Sequence, residues 1–193
     1  MRVQTMTNTP TSDVSATLAQ ICAAASAGSE LVRLAVPDEE SAKALPALIA
    51  ESPVPLVADI HYDPELALMS LEAGIAKLRL NPGTIQNKER IRDIVASAKE
   101  RGVPIRVGAN AGSLPRIMLL RYGGPTAEAL AEAALSEARY LEELGFEAIV
   151  VSVKAFEVPK TVEASRLVAA QGDWPQHLGI TEDAVPAGEP EAT

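Results

Sequence analysis

Short, largely apolar runs alternate with longer stretches of helical period along almost the whole chain. The runs at 3–6, 31–36, 54–60, 77–80, 104–108, 148–154 and 175–180 have the length and character of strands buried on both faces. Between them the apolar positions recur with helical spacing over 14–27, 39–51, 64–73, 88–101, 127–144 and 161–170. Start and stop signals bracket these segments. Asp13, Asp38 and Thr126 stand at N-cap positions, and Gly28, Gly74 and Gly102 follow the last periodic residue. Pro46 falls inside the second helix and is expected to kink or split it. Residues 7–12 are polar and turn-like, and 116–125 reads as a looser segment.

Seven alternations of strand and helix predict an α/β fold, and a (β/α) barrel of the TIM type fits them best. A doubly wound open sheet is the second choice, but no Gly-x-Gly-x-x-Gly follows any strand. At 193 residues and 47% hydrophobic the chain can bury one sizeable core. It is short of the roughly 250 residues of a complete eight-stranded barrel. The expectation is therefore an incomplete barrel domain over 1–182, with about seven of the eight strands. Residues 183–193, rich in Pro, Ala, Gly and Glu, are expected to be a disordered polar tail.

A net charge of −9 argues against a general nucleic-acid or anionic-membrane surface. No apolar run has the length of a membrane span and no apolar signal core opens the chain, so a cytoplasmic protein is expected. The one cysteine, Cys22, excludes a disulfide framework and a cysteine-based metal site, and no metal site is expected. Its setting among alanines on the first helix reads as core.

The strand charges change this picture most. Arg33, Arg79, Arg106 and Lys154 each interrupt an apolar run, on four different strands. Buried Arg and Lys are rare unless paired. Either each meets a local carboxylate in a structural network, or together they hold a strongly anionic ligand at the strand ends, such as a phosphate or diphosphate. The stretch 102–115, Gly-Val-Pro-Ile-Arg-Val-Gly-Ala-Asn-Ala-Gly-Ser-Leu-Pro, carries the same ambiguity. It reads as a strand, a loop and an N-cap serine, Ser113, or as a glycine-bearing anion cradle holding Arg106, Asn110 and Ser113. Asp59 and His61, two apart at a strand end, can share a face and handle protons, or can be a turn aspartate and a surface histidine. His177 and Glu182 flank the end of the last run, with Glu182 a candidate acid or base. Asn81 and Asn110 close two strands and can hydrogen-bond a ligand, although Asn is also an ordinary turn residue.

Seven segments come in order: Val-Gln-Thr-Met-Thr-Asn-Thr at 3–9, Val-Arg-Leu-Ala-Val-Pro at 32–37, Pro-Leu-Val-Ala-Asp-Ile-His at 55–61, Lys-Leu-Arg-Leu-Asn-Pro-Gly at 77–83, Ile-Arg-Val-Gly-Ala-Asn-Ala-Gly-Ser-Leu at 105–114, Val-Ser-Val-Lys-Ala at 151–155 and His-Leu-Gly-Ile-Thr-Glu at 177–182. Together they resemble the barrel domain of the 4-hydroxy-3-methylbut-2-en-1-yl diphosphate synthase family of non-mevalonate isoprenoid synthesis. The resemblance implies reductive ring opening of 2-C-methyl-erythritol 2,4-cyclodiphosphate, with two electrons from ferredoxin or flavodoxin passed through a 4Fe-4S cluster. It implies that Arg33, Arg79, Arg106, Asn110 and Lys154, with Asn81, Ser113 and His177 nearby, bind the diphosphate. It sets Asp59, His61 and Glu182 at the same mouth as candidate catalytic residues. It further implies a homodimer in which a second, cluster-bearing domain covers the partner's barrel. After Thr181-Glu182 the family continues Ala-Gly, whereas this chain continues Asp183-Ala184-Val185-Pro186. The expectation is a chain that keeps the diphosphate-binding barrel portion, does not itself bind the cluster, and lacks turnover alone.

Overall fold

The computed structural model describes residues 1–61, 63–80 and 88–179. In chain order the elements are β1 (Gln4–Met6), α1 (Val14–Ser26), β2 (Leu31–Ala35), α2 (Glu39–Glu51), β3 (Leu56–Ile60), α3 (Pro64–Glu72) and β4 (Lys77–Leu80). There follow α4 (Lys88–Arg101), β5 (Ile105–Asn110), a 3-10 turn (Ala111–Ser113), α5 (Arg116–Tyr122), α6 (Ala127–Glu143), β6 (Ile149–Lys154) and α7 (Val158–Ala169). The strands stand in chain order across one sheet, and each pair from β1/β2 to β4/β5 is parallel. This is the α/β alternation that the apolar runs predict. By its internal contacts the chain divides into two units, Met1–Val107 with Glu137–Val150, and Gly108–Ser136 with the residues from Val151 on.

In the first unit, strand register sorts the side chains by chemistry. Residues paired across parallel strands point to the same face, and successive residues to opposite faces. Val32 pairs with Leu56, Leu34 with Ala58, Ala58 with Leu78 and Leu78 with Ile105. This face is apolar, and all of these residues are buried. The other face carries Arg33, Asp59, Lys77, Arg79 and Arg106. Helix caps fix the ends of the layer. Asp13 accepts from the Ala16 N–H at 3.0 Å and Asp38 from the Ser41 N–H at 2.8 Å. Asp63, before Pro64 in the first turn, accepts from the Glu65 N–H at 2.9 Å. The turn after β1 is tied down by Thr11, which donates to the Ala35 carbonyl at the end of β2 at 2.5 Å.

In the second unit, Thr161 joins strand to helix. Its hydroxyl accepts from the Ala155 N–H at 3.0 Å and donates to the Ala155 carbonyl at 3.3 Å, so α7 is pinned to the residue that follows β6. Helix α5 ends at Gly123, whose φ of 72° is the left-handed turn that stops a helix.

Five expectations need correction. The run at 175–180 is not a strand over its described residues: it makes one parallel bridge, Val151 with Gln176, through two hydrogen bonds of 2.9 Å. Pro175 has no N–H to extend the ladder, and the Gln176 side chain turns to the Ser165 carbonyl of α7 instead. The segment after Pro115 is helical, α5, where a looser segment is expected. Helix α7 begins at Val158, three residues early, with Pro159 in its first turn where no N–H is needed. Of the kink or split expected at Pro46, the split does not occur: α2 runs through it to Glu51. Cys22 is exposed rather than core, because the buried stripe of α1 passes through Thr17 and Ile21 and the next residue is rotated by about 100°.

Candidate functional site

The polar face of the first unit is built around one carboxylate. Ala35, Asp59, Arg79 and Arg106 occupy one row of the register, on β2, β3, β4 and β5 in turn. Arg33 lies one row towards the strand starts, level with Met6 and Val57. Asp59 is only 4% exposed, Arg79 8% and Arg106 1%. Arg79 donates from Nη1 to Asp59 Oδ1 at 3.2 Å, and the Arg33 Nε stands 3.5 Å from Asp59 Oδ2. Arg33 also points its Nε and Nη2 at the Met6 sulfur, at 3.1 and 2.8 Å. The His61 Nε2 stands 3.6 Å from Asp59 Oδ2, with its ring half exposed at the end of β3. The spacing that lets Asp59 and His61 share a face therefore does bring them together.

Three guanidinium groups around one carboxylate leave the face rich in positive charge. The Arg106 guanidinium is pulled down to about 9, first by burial, then by the charges of Arg33 and Arg79, with Asp59 opposing. Arg33 is lowered too, by burial above all, while Asp59 raises it and Arg79 lowers it further. A group depressed in this way costs the folded state free energy at neutral pH. An anion supplied from outside offsets that cost. Arg forks match the oxygens of a phosphate or diphosphate in geometry as well as charge.

Sequence reading missed one member of this face. Lys77 lies two residues before Arg79 on β4, so both project to the same side. Its ammonium is lowered by burial first, then by Arg106 and Arg2. The signal was available in the alternation Lys77-Leu78-Arg79-Leu80, which the eye takes for a single charged interruption.

The second unit holds the other described candidates. Lys154 ends β6, and a β-carbon built on Gly179 would lie 3.3 Å from its Cε, 3.5 Å from its Nζ and 3.8 Å from the His177 Nε2. A cation and an imidazole thus border a space that any larger residue at 179 would fill. Asn110 ends β5 and precedes the 3-10 turn, where its side chain makes no capping bond. Ser113 is exposed within that turn and is not the N-cap of α5, a position held by Pro115. Asn81 and Glu182 lie outside the described residues.

Among the described residues no three His, Cys, Asp or Glu side chains form a group able to hold a metal ion. No helix among them is long and apolar enough to cross a membrane. With a single thiol in 193 residues, this chain does not fit a 4Fe-4S cluster, which needs several thiolates.

Comparison with known proteins agrees with a barrel-type fold. The family described as the GcpE TIM-barrel domain matches residues 1–190. The chain is 56% identical over 180 residues to the 4-hydroxy-3-methylbut-2-en-1-yl diphosphate synthase (flavodoxin) of Geobacter sulfurreducens, covering 93% of this chain and 51% of that protein. It is 53% identical over 182 residues to the protein of the same name from Maridesulfovibrio salexigens, covering 94% and 51%. The chain thus spans about half the length of the curated relatives it matches. Among solved structures it is similar to 3-dehydroquinate dehydratase from Geobacillus kaustophilus, with a TM-score of 0.61 at 14% identity over 91% of this chain and 71% of that one. A tryptophan synthase from M. tuberculosis gives a TM-score of 0.58 at 15% identity, covering 93% and 72%. At such identities these likenesses speak for the fold alone.

Proposed function

Because the chain belongs to the GcpE TIM-barrel domain family, we propose that it is the diphosphate-binding portion of a 4-hydroxy-3-methylbut-2-en-1-yl diphosphate synthase. One observation carries the reading: Arg33, Arg79 and Arg106 are gathered on one strand face with the carboxylate of Asp59. The substrate is the cyclic diphosphate 2-C-methyl-erythritol 2,4-cyclodiphosphate. Each phosphorus of the ring carries one acidic oxygen, and reductive cleavage of a C–O bond frees a further one. The ligand therefore gains negative charge during the reaction, and a preformed cationic face favours that change. In the second unit, Lys154 and His177 bind anionic ligand groups, and Asn110 and Ser113 supply neutral hydrogen bonds. Asp59 orients Arg33 and Arg79, and His61 handles a proton at the strand ends. The two electrons would come from flavodoxin or ferredoxin through a 4Fe-4S cluster, which the single thiol of this chain does not fit. The working enzyme is a homodimer in the cytoplasm.

Calorimetric titration of the chain with the cyclic diphosphate, and with inorganic pyrophosphate as a simpler probe, tests the reading. Both are expected to bind, and Arg106→Met is expected to weaken them about 10- to 150-fold, the range for a hydrogen bond to a charged group. The pH profile gives an independent check. Arg106 is charged below its value of about 9 in the folded chain. Affinity should hold from neutral pH up to that point and fall as pH rises through it, and Arg106→Met should flatten the fall. No heat of binding, or a variant that binds like the native chain, overturns the proposal.

A further inference from the structure

Lys77 stands in a setting unlike that of the other cations on the polar face. The register puts it level with Val57 on β3. On the other side it is level with Pro104, because the next residue, Leu78, pairs with Ile105. Both lateral neighbours are therefore apolar. Among the described residues no carboxylate lies within salt-bridge distance of its ammonium, whereas Arg33 and Arg79 both reach Asp59. The charges it feels are those of Arg106, diagonally ahead on β5, and Arg2, before β1. A half-buried lysine with such cations near it is a poor device for stability, since both of these charges repel it. Repulsion is mutual, so the same ammonium acts on Arg106. In parallel strands Lys77 lies towards the strand starts, and the push on Arg106 is directed towards the strand ends.

We propose that Lys77 is a positioning residue of the anion site, whose charge presses the Arg106 guanidinium towards the strand ends where the diphosphate binds. The inference rests on the reading of this face as a diphosphate site. Lys77 itself need not touch the ligand. It holds Arg106 in the orientation that an anion rewards, at a cost to the ligand-free fold.

Lys77→Met removes the charge and keeps the aliphatic stem, and Lys77→Arg keeps the charge. Thermal melts and titration with inorganic pyrophosphate are made on the full chain. Lys77→Met is expected to raise the ligand-free melting temperature by about 2–4 °C, the shift that relief of about 1 kcal/mol gives in a chain of this size. It is expected to weaken pyrophosphate binding about tenfold, while Lys77→Arg binds within about twofold of the native chain. In an Arg106→Met background the effect of Lys77→Met on binding should vanish, since its route is gone. A lysine that merely packs would instead lower the melting temperature on substitution and leave binding unchanged, and that result overturns the inference. So does an undiminished effect of Lys77→Met in the Arg106→Met background. If the native chain binds pyrophosphate and Lys77→Met binds it equally, this inference alone fails. If the native chain does not bind pyrophosphate, the diphosphate-site reading fails and takes this one with it.

Discussion

An Asp59→Asn variant is expected to lose about 3–5 kcal/mol of folding stability, the range for breaking a buried ion pair by removing one partner. The substitution conserves volume and still offers one carbonyl oxygen, so packing changes little. What changes is charge. Arg79, at 3.2 Å, and Arg33, at 3.5 Å, lose the charge on the oxygens they approach, and Arg106 loses the Asp59 charge that raises it. The guanidinium groups that depress one another then lose the opposing charge of Asp59 in a site almost closed to solvent. Urea melts of the two chains measure the difference. The ligand response should move the other way. With its internal anion gone, the face binds an external one more tightly, so pyrophosphate should stabilise Asp59→Asn by more than it stabilises the native chain. A variant within about 0.5 kcal/mol of the native chain would mean that Asp59 does not organise the cluster, since surface substitutions away from special features stay in that range.

How much of this was legible in the sequence follows from the physics of each signal. Strand positions were legible because a strand buried on both faces is a continuous apolar run, and a charge within such a run stands out. Arg33, Arg79 and Arg106 were found in that way. Which face each occupied was not legible, because register is a tertiary quantity and one residue of slip moves a side chain to the opposite face. Lys77 is a different case: two residues before Arg79 it shares that face whatever the register, but at the first position of the run it reads as a polar boundary. Cys22 was misplaced for the corresponding reason on a helix, where a helix rich in alanine gives too weak a stripe to separate position 22 from position 21. Helix α5 was missed although its stop signal, Gly123-Gly124, is plain in the sequence, because none of its residues is buried and its apolar positions mark no core face. The run at 175–180 reads as a strand by its apolar character, but Pro175 lacks the donor that a ladder needs.

The electrostatic arrangement also supports the proposed anion site over a purely structural network. A network built for stability balances its charges, and the pair of Arg79 with Asp59 alone would do that. Arg33, Arg106 and Lys77 then add positive charge to the same face, and each is depressed first by its own burial. Sites that bind tightly commonly hold such unfavourable terms, and the ligand relieves them.

Gly108→Ala is expected to cost more than about 3 kcal/mol, beyond the usual range for adding one methyl to a packed interior. A β-carbon at 108 would lie 1.9 Å from the Ser152 carbonyl oxygen, 2.4 Å from its Oγ and 2.8 Å from its carbonyl carbon. Two of these atoms are backbone, so no rotamer change clears the clash, and the end of β5 or that of β6 must move. Gly112→Ala is the control. Its added carbon would meet only the Phe156 ring, at 3.7 Å, an ordinary contact, and the residue is exposed. That variant should stay within about 0.5 kcal/mol of the native chain. Chemical denaturation of the pair separates two meanings of the glycines in this stretch. If they served mainly to let backbone N–H groups approach an anion, the two substitutions would impair pyrophosphate binding alike and leave folding largely intact. The geometry assigns Gly108 a different task, close approach of two strand ends, with Arg106 carried two residues before the point of approach. Gly108→Ala should therefore lose stability first, and anion binding as a consequence, while Gly112→Ala keeps both.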